Sequence, residues 1–190
     1  SASPLGMGQA QACIAVVTPE HFYLIDSGVG STDNINLLRL PTARLDGLLL
    51  THFHSDHIAE IYEVNLGSWV NGRPAPLKVW GPRGVDEVVS AVNAGYRQDR
   101  IYRVGHHGED LLQPELGVLA HETIEPGVVL EDGELKITAY VGEHPPIEPA
   151  VGYRFDYRGR SVVISGDSNV NENTLKIADG AELLLHDALS

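Results

Sequence analysis

Apolar residues along this chain gather into short runs separated by turn residues, and the period of each run predicts an element. Cys13 to Val17 and Phe22 to Ile25 flank Thr18-Pro19-Glu20-His21, which reads as a hairpin leading into Asp26-Ser27-Gly28. Asp46 to Leu50 and Leu77 to Trp80 are further short buried strands. Val85, Val88, Val89 and Val92 recur at i, i+3, i+4 and i+7, one face of a helix from Gly84 to Ala94 that stops near Gly95 and covers a sheet. In the second half Leu135, Ile137, Ala139 and Val141 alternate with Lys136, Thr138 and Tyr140, a half-buried strand entered through the turn Glu131-Asp132-Gly133. Val151 to Tyr157 and Ser161 to Ser165 form a second hairpin around Arg158-Gly159-Arg160, and Glu182 to Leu185 is a last short strand. Strands in both halves, with helices that must pack outside them, predict an α/β fold of two face-to-face sheets.

Composition narrows the function. At 190 residues the chain reads as one domain, 1–190, and 43% hydrophobic with 21% charged residues is ordinary globular usage. No run approaches the roughly 18 uninterrupted apolar residues of a membrane span, so no membrane partner is expected. A net charge of −13 repels phosphate backbones, so no extended nucleic-acid binding is expected. A divalent metal cluster would cancel part of that charge locally and keep a compact anionic substrate open. Cys13 is the single cysteine, so the fold must hold by packing or by metal. The chain opens Ser-Ala-Ser-Pro-Leu-Gly with neither Met nor a basic and apolar leader, which leaves its compartment open.

The chemistry concentrates in Thr51-His52-Phe53-His54-Ser55-Asp56-His57, directly after a buried strand. At this chain's own His and Asp frequencies an HxHxDH string arises by chance in about one such sequence in a thousand. Residues two apart in an extended loop point the same way and can share one ion, while Asp56 and His57 can turn to a second. Neutral imidazoles and ionised carboxylates suit zinc, iron or manganese. His144 follows a strand and precedes Pro145-Pro146, a stiff loop. Asp167 follows Gly166 at the end of Val162-Val163-Ile164, where a carboxylate can project into a cleft and bridge two cations.

Together these pieces resemble the metallo-β-lactamase superfamily, and within it the branch of ribonuclease Z and related arylsulfatases. The matching segments are Asp26-Ser-Gly28, Thr51 to His57, His144, Gly152-Tyr-Arg154, Ser165-Gly-Asp-Ser168 and Leu185-His-Asp-Ala188. The resemblance implies a four-layer αββα sandwich with a dinuclear site at one edge of the two sheets. It also implies that His52, His54 and His144 hold the first metal, that Asp56 and His57 help hold the second, and that Asp167 bridges them. Two departures stand out. The family's last His ligand has no counterpart before Ser190, and only 22 residues separate His144 from Asp167 where ribonuclease Z carries a long basic arm that grips transfer RNA.

The expected activity is that of a metal-dependent hydrolase using two divalent ions, Zn2+ foremost with Mn2+ or Fe2+ as alternatives, to activate a hydroxide against phosphodiester or sulfate esters. Asp56 is the expected proton acceptor and Asp187 the expected donor to the leaving group. The same hydroxide could attack a lactone or a β-lactam-type amide, and a non-catalytic metal-binding protein with a degenerate second site is a third reading. The expected partner is a small-molecule ester substrate, and a homodimer is compatible with this reading. His186 is a minority candidate for the absent ligand. His106-His107, near Arg100 and Arg103, reads as a solvated loop with substrate contact at its rim as the alternative, and His21 and His121 read as surface residues.

Overall fold

The computed structural model describes residues 10–188, so the opening segment and Leu189-Ser190 lie outside it. It divides into two compact units, Ser1–Glu122 and Thr123–Ser190, each built on one five-stranded sheet.

The first unit runs β1 (Ile14–Val17), β2 (Phe22–Ile25), α1 (Ser31–Leu37), β3 (Gly47–Leu49), α2 (Ser55–Ile58), α3 (Ile61–Val70), β4 (Lys78–Gly81), α4 (Val85–Gly95), α5 (Arg97–His107) and β5 (Ala120–Thr123). The strands lie in chain order; β1 pairs antiparallel with β2, and β2, β3 and β4 are mutually parallel. A parallel strand needs a crossover, and a sheet covered by its crossovers buries both faces. Every residue of β2 and β3 is accordingly buried, which is why they read as continuous apolar runs. Phe22, Leu24, Leu48, Leu50, Val79, Val85 and Val89 form the centre of the core, with Val88 and Val92 of α4 packed against it as the helical period requires.

One buried cation holds the far side of this unit. Arg73 lies after α3, and its Nε donates to Ser68 Oγ at 3.0 Å while Nη2 donates to Asn65 Oδ1 at 2.8 Å and to the Leu116 carbonyl at 3.0 Å. Nη1 is bonded to the Ala75 carbonyl. Its partners are all neutral, and burial pulls the guanidinium down to about 10.

The second unit runs β6 (Gly127–Asp132), β7 (Leu135–Val141), β8 (Val151–Tyr157), β9 (Arg160–Ile164), α6 (Glu172–Ala178) and β10 (Leu183–Leu185). The sheet order is β10-β9-β8-β7-β6, antiparallel throughout except for the parallel pair β9/β10 that α6 connects. Asn171 caps α6 by accepting from the Thr174 amide at 3.0 Å. At the other end Arg154 Nη1 donates to the carbonyls of Ile177 at 2.7 Å and Asp179 at 3.1 Å, neutralising the helix's negative pole.

Several expectations are corrected. The segment after β3 is not wholly an extended loop, because residues 55–58 wind into α2 with Asp56 and His57 in its single turn. Residues 127–132 are strand β6, held by pairing to β7, and only the tip of the expected turn remains. Tyr140 is buried and Val141 exposed, the reverse of strict alternation, because Tyr140 lies opposite Gly152 and its ring fills the space that a Cβ there would occupy. His21 is half-buried, its ring stacked against Tyr23 and its Nδ1 3.9 Å from Asp46, rather than a surface residue. His106 and His107 form the exposed last turn of α5, since an amphipathic helix carries that stretch rather than a loop.

Candidate metal centre

In the first unit the ligand-bearing segment sits where β2 and β3 end side by side. Asp26 follows β2 with φ of 61°, a left-handed conformation that short polar side chains tolerate. Its amide donates to the Leu49 carbonyl at 2.9 Å. Its carboxylate thereby comes under Thr51, with Oδ1 accepting the Thr51 amide at 2.8 Å and Oδ2 accepting the Thr51 hydroxyl at 2.8 Å and His57 Nδ1 at 2.7 Å. All three residues are buried. The loop 26–28 is stitched to α2 by Ser27 N to the His57 carbonyl at 2.7 Å and Glu60 N to the Ser27 carbonyl at 2.8 Å. A Cβ on Gly28 would fall 2.0 Å from the Asp56 carbonyl oxygen, so only glycine permits this approach.

These bonds determine which imidazole nitrogen carries a proton. An ionised carboxylate only accepts, so His57 donates from Nδ1, and the neutral imidazole that makes this bond carries its lone pair on Nε2. The Thr51 hydroxyl spends its one proton on Asp26, so at 3.1 Å from His52 Nδ1 it accepts, and His52 also keeps its lone pair on Nε2. That nitrogen lies 2.9 Å from Nδ1 of His54, whose ring stands edge-on at 4.7 Å between centroids. Two imidazole nitrogens converging in this way, one of them held as a lone pair by a buried carboxylate relay, match the neutral-imidazole donors that zinc, manganese and iron take.

The second unit builds a smaller array. His144 opens a tight turn closed by Ile147 N to the His144 carbonyl at 2.7 Å. Asp167 follows Gly166, whose φ of 62° redirects the chain as it leaves β9. The two loops are laced together, since Glu143 N donates to Ser168 Oγ at 2.9 Å and Asn169 N donates to the Glu143 carbonyl at 2.7 Å. His144 and Asp167 thus offer ligand atoms within 4.8 Å of each other.

Each unit therefore brings its expected ligands together: His52, His54 and His57 in the first, His144 and Asp167 in the second. Asp56 stands half-buried in the turn of α2. Asp187 continues from β10, its amide donating to Ser165 Oγ at 3.1 Å. His186 Nδ1 bonds the Asp187 carbonyl at 2.6 Å, and its buried Nε2 meets no hydrogen-bond partner among the described residues. Sequence reading missed what Asp26, Thr51 and Ser168 do. Their only local signals were an acid at the end of an apolar strand, a Thr before the first His, and a Ser after Asp167.

Residues 21–190 match the family model described as the beta-lactamase superfamily domain. The chain belongs to this superfamily. A curated ribonuclease Z of Mycobacterium bovis is 36% identical to it over 167 residues, covering 86% of this chain and 59% of that protein. The chain thus spans about three-fifths of the length of such curated relatives. Among solved structures, the metallo-β-lactamase fold protein YhfI of Bacillus subtilis superposes with a TM-score of 0.70 at 20% identity, covering 94% of this chain and 64% of that one. The short form of human tRNase Z superposes with a TM-score of 0.70 at 18% identity, covering 95% and 72%. The mixed α/β fold of two sheets with helices is the metallo-β-lactamase fold of these neighbours, and the ribonuclease Z-like branch anticipated from the motifs is the one in which the curated relatives fall.

Proposed function

We propose that this chain carries the metal-binding and catalytic groups of a phosphodiesterase acting on small esters. The observation that carries the reading is the His52 and His54 nitrogen pair, 2.9 Å apart and set for cation binding by the Asp26–Thr51 relay. The ribonuclease Z relatives support phosphodiester chemistry over sulfate esters. In this reading, which follows the family resemblance, His52, His54, Asp56, His57, His144 and Asp167 are the residues that would hold divalent metal. Zinc suits this nitrogen-rich set best. When bound, such ions supply Lewis-acid polarisation of the ester and make water nucleophilic at neutral pH.

The chain's own residues then do the rest. Asp26 keeps His57 in one tautomer and one orientation. The half-buried Asp56 carboxylate orients the attacking water and takes its proton. Asp187, tethered by its amide to Ser165, protonates the departing oxygen. The net charge of −13 favours a compact substrate neutralised at the metal over a long polyanion.

The test is metal analysis of the full chain prepared with zinc or manganese, followed by turnover of an aryl phosphodiester, an aryl sulfate, a lactone and a β-lactam. Bound metal with turnover confined to the phosphodiester is the expected result. A preparation without metal, or a metal-loaded one that cleaves only another ester class, overturns the reading.

A further inference from the structure

Helix α5 lines a second cavity, away from the candidate metal centre. Arg97, Arg100, Ile101, Val104 and Gly105 fall at i, i+3, i+4, i+7 and i+8, a single stripe of the helix. Such a stripe ordinarily packs into a core. Here α5 buries none of its residues fully, and Ile101 is 47% exposed. The stripe instead forms one wall of a cavity of about 460 Å3, and Pro114 and Val118 form the other. That volume lies within the roughly 300–1,000 Å3 of small-molecule sites. Gly105 widens it, since a Cβ there would meet nothing within 4 Å.

The positive charge in this groove is only partly compensated. Arg103, on the neighbouring face of α5, is neutralised by Asp99 at 2.7 Å, and the same carboxylate accepts the Tyr62 hydroxyl at 2.7 Å. Arg97 and Arg100 form no close ion pair among the described residues, and Asp99 acts on Arg100 only at longer range. Arg100 is nonetheless held in place. Its Nη2 donates to the Asn93 carbonyl at 2.7 Å, and Asn93 is clamped by two 3.0 Å bonds to the backbone of Leu119. Its buried Nη1 has no hydrogen-bond partner among the described residues. Glu109 also lines the groove, so two guanidiniums against one carboxylate leave a single positive charge in excess.

We propose that this groove binds an apolar monocarboxylate, its head between Arg97 and Arg100 and its hydrocarbon body against Ile101, Val104, Pro114 and Val118. A monoanion answers the single excess charge, and an aliphatic body of about eight carbons suits a cavity of this size and lining.

Octanoate titrated into the full chain, followed by calorimetry and amide NMR, tests this. The expected result is saturable binding at one site, with octanol and octylammonium at least about tenfold weaker. Arg100→Gln should weaken octanoate at least about tenfold and Glu109→Gln should tighten it. Gly105→Leu should abolish binding by filling the groove, while Gly105→Ala, which adds one methyl to open space, should leave it intact. If Arg100→Gln unfolds, the exposed Arg97→Gln reads the same charge. Octanol binding as tightly as octanoate, an unchanged octanoate affinity in Gly105→Leu, or no saturation by about 10 mM would each overturn the proposal.

Discussion

Replacing Asp26 with Asn is the sharpest perturbation of the proposed metal centre, because it changes one atom and leaves shape and volume nearly intact. The carboxylate accepts bonds of 2.8, 2.8 and 2.7 Å from the Thr51 amide, the Thr51 hydroxyl and His57 Nδ1. In Asp26→Asn the remaining oxygen still serves the Thr51 amide, but an NH2 group replaces Oδ2 and faces two groups that were donating to it. The Thr51 hydroxyl can rotate and accept. His57 can respond only by moving its proton to Nε2, which removes the lone pair available to a cation. Hydrogen bonds to a charged group contribute about 1.5–3 kcal/mol each, so losing one outright and weakening another should cost about 2–4 kcal/mol of stability. Against a total of roughly 5–15 kcal/mol the variant should still fold. Its metal affinity should fall about 10–100-fold, the usual effect of losing a carboxylate behind a ligating His. Urea unfolding measures the first quantity and competition with a chromophoric chelator the second. Asp46→Asn is the control, since Asp46 accepts the Phe22 amide at 2.7 Å but sits 3.9 Å from the nearest imidazole nitrogen, and it should lose stability without losing metal affinity. If Asp26→Asn binds metal as tightly as the parent, the proton relay through Thr51 and His57 is wrong.

Four further outcomes follow from the same geometry. Gly28→Ala should cost at least about 1–3 kcal/mol, read as a fall in unfolding midpoint, because its methyl would sit 2.0 Å from the Asp56 carbonyl oxygen and must push α2 away. Cys13 is pushed up to about 11 from 9.0, chiefly by burial, so alkylation by iodoacetamide at pH 8 should run about 100-fold slower than for a free thiol; because the folded state holds this proton more tightly, stability is full below about pH 9 and drops between 9 and 11, which a pH series of unfolding midpoints in parent and Cys13→Ala will show. Asp56→Ala should lower turnover of a responsive ester at least about 100-fold while the fold is kept, and an unchanged rate removes it from the proton transfer. His54→Ala should lower both metal content and thermal midpoint, while the parent stripped by chelator should show the same fall in midpoint and recover on adding the ion back.

How much of this was legible beforehand depends on the distance over which each signal acts. The HxHxDH donors, and the alternation over Leu135 to Ala139 of β7, each lie within a few residues, and both were readable because spacing along the chain maps directly onto direction in space. The fold family was readable for the same reason, from short motifs in order. Helix α3 was not, since it buries Ile61, Tyr62, Val64, Asn65, Ser68 and Trp69 around most of its circumference and so shows no one-sided period. Strand β6 was missed for the opposite reason, being mostly exposed and held by its ladder to β7 rather than by burial. The protonation states at the metal centre lay furthest out of reach, because Asp26 acts on Thr51 across 25 positions and on His57 across 31. No local pattern carries that information: an acid ending a strand is as often a turn residue, and its carboxylate becomes a proton-ordering device only when parallel pairing brings the end of β2 beside the end of β3. Donor types could be named from the string of residues alone. Which nitrogen of each imidazole presents a lone pair is a consequence of sheet register, so the ligand set and the parallel pairing of β2 with β3 form one constraint, and a substitution that slips that register should disable the centre even with every His in place.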